Sequence, residues 1–298
     1  MMKKRITGAL ALAFLLALAP FPALAGDEFL YEAESFTEEN GESGPWYYQS
    51  PSLTFTTERK RDGEGKRYLL TDIYAGEGVT VTAAASRPGD FHHREAVDPR
   101  LIARENRAVL AFTGDYLLFK PNPKGVMIRD GEVFYDRNEQ DTLAVLPDGT
   151  LEACPAGSVR AQELLDRGVK NAFGFGPILV MDGEAYAPAL KHSLARPNRR
   201  CSLGMAQKGH YLQITTVSPF SNAEMQKLYL ALAARVAYQM DGGQSAALEL
   251  MGEQMNAHGY NAELDTYQRP LNDMVVIGYS DLVPGVDDPV RYTNVTLH

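Results

Sequence analysis

The chain has 298 residues, 29 of them Lys or Arg against 38 Asp or Glu, for a formal net charge of −9 at pH 7. With 45% hydrophobic residues and two cysteines, it is long and apolar enough for one large core and is neither a disulfide-dense scaffold nor a low-complexity chain. An acidic surface repels nucleic acid and anionic lipid, so neither is an expected partner.

The first residues carry Lys3, Lys4 and Arg5, an apolar run follows from Ala9 to Leu18, and Ala23-Leu24-Ala25 supplies small residues before a cleavage point. This reads as a signal peptide over 1–25 and predicts an exported, extracytoplasmic protein. A retained anchor is the rival reading, but Pro20 and Pro22 interrupt a run that falls short of the roughly 20 residues needed to span a bilayer. Cleavage after Ala25 leaves 273 residues, raises the net charge to −12 and leaves no integral membrane segment. Gly26, not a cysteine, stands directly after the cleavage point, so lipid attachment there has no acceptor.

Residues 26–66 are polar and turn-rich and predict an irregular lead-in or a loosely held β segment, with one domain over 67–298. Tyr68–Tyr74 and Val79–Ala83 flank Gly76-Glu77-Gly78 like two strands around a turn. Further strands are expected at Ala108–Phe112, Val126–Ile128, Val133–Tyr135, Leu143–Leu146, Ile178–Met181, Leu212–Val217 and Met274–Gly278. Asp130-Gly131, Asp148-Gly149 and Asp182-Gly183 mark turns between or beside them. A short helix from Arg160 to Arg167 should stop at Gly168. The clearest helix starts at Ser221, where Ser221 and Glu224 have capping-box spacing and Met225, Leu228, Leu232 and Val236 mark one face, so it should reach about Arg235. Many short strands without a strict βαβ rhythm predict an α+β fold, a mixed and largely antiparallel sheet with a few packed helices.

Cys154 and Cys201 form an even count in an exported chain. A bridge between them is expected, two buried free thiols being the alternative. Chemistry is suggested most strongly by Gln239-Met240-Asp241-Gly242-Gly243-Gln244-Ser245, where paired glycines let the backbone approach a ligand and Asp241 sets a carboxylate beside them. An ordinary Asp-Gly hairpin turn is the plainer reading.

In chain order the sequence also shows Thr113-Gly114-Asp115-Tyr116, Ile128-Arg129-Asp130-Gly131, Phe175-Gly176-Pro177-Ile178-Leu179-Val180 and Arg200-Cys201-Ser202-Leu203-Gly204, with Arg269-Pro270-Leu271-Asn272-Asp273 before the final strand. With the 239–245 loop, these resemble the phosphodiester glycosidase family, which includes the mannose 6-phosphate uncovering enzyme and bacterial exopolysaccharide-associated proteins. The chain departs from the family pattern at Thr113 and Gln239, where asparagine is expected, and at Gln244, where a third glycine is expected. Val217-Ser218-Pro219-Phe220 replaces an Asp-Gly-Arg.

The resemblance implies a hydrolase acting on a glycosyl-1-phosphodiester or related glycan linkage. Glycosyl transfer generally uses two carboxylates across the scissile bond, and Asp115 and Asp241 are the candidates it points to. Arg200 and Arg129 would neutralise the phosphate, the amides of Gly242 and Gly243 would assist, and Ser245 and Tyr116 complete the expected substrate contacts. His192 is a weaker acid–base candidate or a surface-loop histidine. No ligand spacing commits to a cofactor, although the Asp-rich loops could hold a divalent cation such as Ca²⁺. A non-catalytic carbohydrate-binding protein is the alternative. For an enzyme, Asp115, Arg200 and Asp241 should converge in one cleft.

Overall fold

Alternation of buried and open side chains turns most of the chain into strands, as in Leu53–Arg61, where Leu53, Phe55 and Thr57 point inward and the residues between them do not. The computed structural model describes residues 33–115, 117, 123–256 and 268–288, and the expected signal segment lies outside them. Nine strands form one sheet in the order Ser35–Glu38, Trp46–Gln49, Leu53–Arg61, Arg67–Ala75, His210–Thr216, Cys201–Gln207, Val236–Gln239, Ile178–Met181 and Glu184–Ala185. A second sheet orders Leu151–Cys154, Thr142–Val145, Asn171–Phe173, Val126–Arg129 and Glu132–Asp136. The third orders Glu253–Gln254, Leu248–Leu250, Ala108–Thr113, Asp273–Tyr279 and Val81–Ala85.

All three sheets send apolar side chains into one shared core: Trp46, Phe55 and Tyr238 from the first, Met127 and Phe173 from the second, Phe112 and Val275 from the third. Their opposite faces are covered by one short helix each. Asn222–Ala231 packs Met225 and Tyr229 onto the first, Ala161–Asp166 packs Leu164 onto the second, and Pro99–Glu105 packs Ile102 and Ala103 onto the third.

Several expectations are corrected by this arrangement. Among the described residues every strand pairing is antiparallel, so the sheet is not mixed, and strands outweigh helices more than α+β implies. The stretch expected to be an irregular lead-in or a loosely held β segment takes the β alternative and supplies three strands of the large sheet, because Trp46, Tyr48, Leu53 and Phe55 recur at the two-residue period and are buried. The strands either side of Gly76-Glu77-Gly78 form, but in different sheets, so that turn crosses between layers rather than closing a hairpin. Cys154 and Cys201 are both free. Cys201 faces the shared core and Cys154 the cluster beneath Ala161–Asp166, so they belong to separate apolar clusters, and burial pushes each thiol up to about 12.

Helix Asn222–Ala231 keeps its predicted start and ends four residues early, where Ala233 takes a left-handed φ of 56°. Ser221 Oγ accepts the Glu224 N–H at 3.3 Å, and the Ser221 N–H donates to Glu224 Oε2 at 2.7 Å. Burial alone would raise the Glu224 carboxyl, but bonds from Lys66 and Ser221 outweigh it and hold it at about 2. Ser221→Ala should therefore cost about 1 kcal/mol in chemical denaturation, and an unchanged midpoint would contradict the cap.

Glu249 lies opposite Ala111 in the third sheet with no exposed surface, and neither carboxyl oxygen has a hydrogen-bond partner among the described residues. Burial lifts its carboxyl well above the usual range; Asp98 and Glu253 add to this, while Arg100 and Arg104 oppose it. An acid with a raised folded pKa contributes most stability below its unfolded pKa and loses it as pH climbs toward the folded value. Glu249→Met should thus stabilise the protein at pH 7 by about 1–3 kcal/mol and flatten this decline. A lower melting temperature than wild type at pH 7 would refute it.

Candidate active site

A cleft of about 650 Å³ opens where the large sheet meets the loops of the second. One wall carries Glu139, Gln140 and Asp141 with Phe175 and Pro177; the other carries Asn198, Arg200 and the Asp241–Gln244 loop, with Arg269 beside it. Lys124 and the 192–194 turn complete the rim.

Asp241 lies two residues beyond the strand Val236–Gln239, and the loop after it turns at once. Its backbone N–H donates to Gly114 O at 2.9 Å, and its Oδ1 accepts the Gly242 N–H at 2.6 Å. Asp241 is 4% exposed and lines the cleft, so it is not on a solvent-facing hairpin. The paired glycines are required by packing. A Cβ on Gly242 would lie 2.4 Å from Arg199 O, and Gly243 has a φ of 63°. Their amides are already engaged, Gly242 with Asp241 Oδ1 and Gly243 with Arg199 O at 3.0 Å, so they do not point at a ligand as expected.

Arg200 precedes the strand Cys201–Gln207 and is 2% exposed. Its Nε donates to Phe220 O at 2.9 Å, and Nη2 donates to Leu194 O at 2.6 Å and to Arg196 O. Nη1 has no hydrogen-bond partner and the guanidinium makes no ion pair among the described residues, where other buried arginines do. Burial without an adjacent carboxylate lowers it to about 10. A largely desolvated cation facing a cleft favours an anion there.

Asp141, absent from the sequence expectation, stands on the facing wall. Its Oδ1 accepts the Ala156 N–H at 2.9 Å and its Oδ2 the Ile178 N–H at 3.0 Å, which fixes the carboxylate in one orientation. No glycine pair marks it in the sequence; the only signal is a polar triplet, Glu139-Gln140-Asp141, directly before a strand.

The expected convergence is partial. Arg200, Asp241, Gly242, Gly243 and His192 line the cleft. Asp115 is fully buried outside it, paired with Arg129, which also donates from Nη2 to Asp273 Oδ2 at 2.9 Å. Arg129 therefore sits between two carboxylates and stacks 4.5 Å from the Phe173 ring, too deep to meet a phosphate in the cleft. Burial lifts the Asp273 carboxyl to about 6 against the pull of Arg129. Ser245 is buried and accepts from Arg269 Nη1 at 3.0 Å. Tyr116 lies outside the described residues. Thr113 and Gln239 are interior braces: Thr113 Oγ1 accepts the Ala247 N–H at 2.8 Å, and Gln239 Nε2 donates to Cys201 O at 3.0 Å. Of the family departures, Gln244 faces the cleft. Among the described residues no group of three or more His, Cys, Asp or Glu side chains is placed to hold a metal ion, and no helix is long and apolar enough to cross a membrane.

Residues 106–278, more than half of the chain, match the family model for phosphodiester glycosidase. The SPbeta prophage-derived uncharacterized protein YomE of Bacillus subtilis (strain 168) is 23% identical over 271 residues, 87% of this chain and 40% of its own length. The chain thus spans about two fifths of that relative. The catalytic domain of zebrafish N-acetylglucosamine-1-phosphodiester alpha-N-acetylglucosaminidase, auto-inhibited by its pro-peptide, matches with a TM-score of 0.60 at 15% identity, covering 83% of this chain and 88% of that one. A hypothetical protein from Synechocystis matches with a TM-score of 0.58 at 11% identity over 78% of this chain and 63% of that one. At these identities the structural likeness is one of fold.

Proposed function

Because the chain belongs to the phosphodiester glycosidase family, we propose that it is an exported hydrolase that cleaves a glycosyl-1-phosphodiester in an envelope or host glycan. The observation that carries this reading is Arg200, a desolvated guanidinium without an ion-pair partner among the described residues, set on the same cleft as the carboxylates Asp141 and Asp241. Its open Nη1 offers donors to a phosphate oxygen, and Lys124 and Arg269 add positive charge at the rim.

In this reaction water attacks the anomeric carbon and the bond from that carbon to the phosphate-bearing oxygen breaks. The sugar leaves as a hemiacetal and the phosphate as a monoester, whose added charge Arg200 stabilises. Asp241 takes the proton from the attacking water, and the fixed Asp141 carboxylate supports positive charge building on the sugar ring. This pair replaces the Asp115–Asp241 pair expected from the sequence.

Incubation with a glycosyl-1-phosphodiester in isotopically heavy water tests the reading, which expects the label in the released sugar. Label in the phosphate would mean phosphorus–oxygen cleavage and overturn it. Saturable sugar-phosphate binding without turnover would overturn it in favour of a carbohydrate-binding protein, a reading that the Gln244 side chain in the cleft supports.

A further inference from the structure

The Gly114–Asp115 turn touches both cleft walls without lining the cleft. Asp115 Oδ2 accepts the N–H of Gly174 at 2.7 Å, at the head of the loop that carries Phe175 and Pro177. One residue earlier, Gly114 O accepts the N–H of Asp241 at 2.9 Å, at the head of the loop on the opposite wall. The remaining Asp115 oxygen is taken by Arg129, which also bonds Asp273 Oδ2 and, through Nη1, Ala172 O at 2.8 Å. Gly174 is also pressed against the facing Gly125, where a Cβ would lie 2.4 Å from the Gly174 Cα. The two backbones meet there without room for a side chain.

We propose that Asp115 is a positioning residue, which sets the distance between the two cleft walls by holding Gly174 directly and Asp241 through the adjacent Gly114 carbonyl, with Arg129 and Asp273 fixing it in turn. An exposed catalytic carboxylate would need access to the substrate, and Asp115 has no exposed surface. Its two oxygens are instead occupied by one guanidinium and one backbone amide, so its orientation is fixed before any ligand arrives. The inference rests on the same cleft as the functional reading, but its first test needs no substrate.

Amide hydrogen exchange by mass spectrometry is compared for wild type, Asp115→Asn and Asp273→Asn, with peptides covering 171–177 and 239–245. An amide side chain at 115 must turn its NH₂ toward either Arg129 or Gly174 and lose one of the two bonds. Asp115→Asn should then speed exchange in both peptides at least about tenfold beyond the rest of the large sheet. Asp273→Asn, which reaches the walls only through Arg129, should raise that ratio less than Asp115→Asn does. Uniform acceleration in both variants, or no local acceleration in Asp115→Asn, overturns the proposal. Should Asp115→Asn fail to fold, Arg129→Lys keeps the charge, loses the fork and should loosen the same two peptides; if it loosens neither, the proposal falls.

With a turned-over diester, the pH profile of Asp115→Asn should keep both limbs of the wild-type curve at a lower kcat. Loss of one limb would make Asp115 a proton-transfer group and overturn positioning. Absence of turnover in wild type would strike the functional reading and leave the exchange result to decide this one.

Discussion

Arg129→Met should be the most damaging single substitution in the protein, at about 3–5 kcal/mol. The guanidinium is buried between Asp115 and Asp273, whose side chains are 0% and 2% exposed, and methionine fills the volume without supplying any donor. Two carboxylates would then face each other in the core. Relief comes only if they take up protons, and Asp273, already lifted to about 6, is the first to do so. The variant should therefore recover part of its stability as pH falls from 7 toward 5, and by more than the wild type, because removing the guanidinium lifts the Asp273 carboxyl further. Denaturant midpoints at the two pH values check both statements. A loss under about 1 kcal/mol at pH 7 would mean the cluster is no better than a surface pair.

Asp241→Asn should lower kcat on a glycosyl-1-phosphodiester by about 10²–10⁴-fold with little change in melting temperature. Asparagine keeps an Oδ1 to accept the Gly242 N–H and leaves the Asp241 backbone bond to Gly114 untouched, so the loop is retained while the proton acceptor is removed. Binding of the diester should survive, because Arg200 is unchanged. Steady-state kinetics and circular dichroism together decide it; a loss smaller than tenfold would move the proton-transfer role to another cleft carboxylate, with Asp141 the first to examine.

Strand positions were legible because the pattern that forms them is local. Asp130-Gly131 and Asp182-Gly183 adopt left-handed φ values of 48° and 83°, and 54° and 82°, the turn conformation those dipeptides favour, and the strands on either side pair as hairpins. The Ser221 capping box formed as read for the same reason. Residues 35–61 were left between an irregular lead-in and a loosely held β segment because many residues there are polar and the apolar set is largely aromatic, a texture that mimics a loop until the large sheet buries one face. Compartment chemistry suggested a bridge between Cys154 and Cys201, yet it carries no information on which core each thiol enters.

The site was half legible. Locally, Asp115 and Asp241 look alike, each an acid at a strand end beside glycine. Arg129 and Asp273 make the difference, and Asp273 is joined to Arg129 across 144 positions of sequence. Arg200 was read as a phosphate ligand through the family resemblance, while the carbonyls of Leu194, Arg196 and Phe220 that hold it could be seen only in three dimensions. Asp141 escaped notice because its distinguishing feature is the pair of distant amides it receives.

The third sheet closes late. Asp273–Tyr279 lies between Val81–Ala85 and Ala108–Thr113, so two strands made early in synthesis share no strand pairing until the last described strand arrives and slots between them. Arg129 likewise waits for Asp273. A ribosome-bound or partly translocated chain thus holds two unpaired edges and an incomplete ion cluster, and the final step of folding is a long-range insertion, slow on contact-order grounds. Delayed closure keeps the chain threadable until its end is delivered, which is what the proposed export requires. It also makes Asp273–Tyr279 the strand whose loss to a protease would do most to open the third sheet.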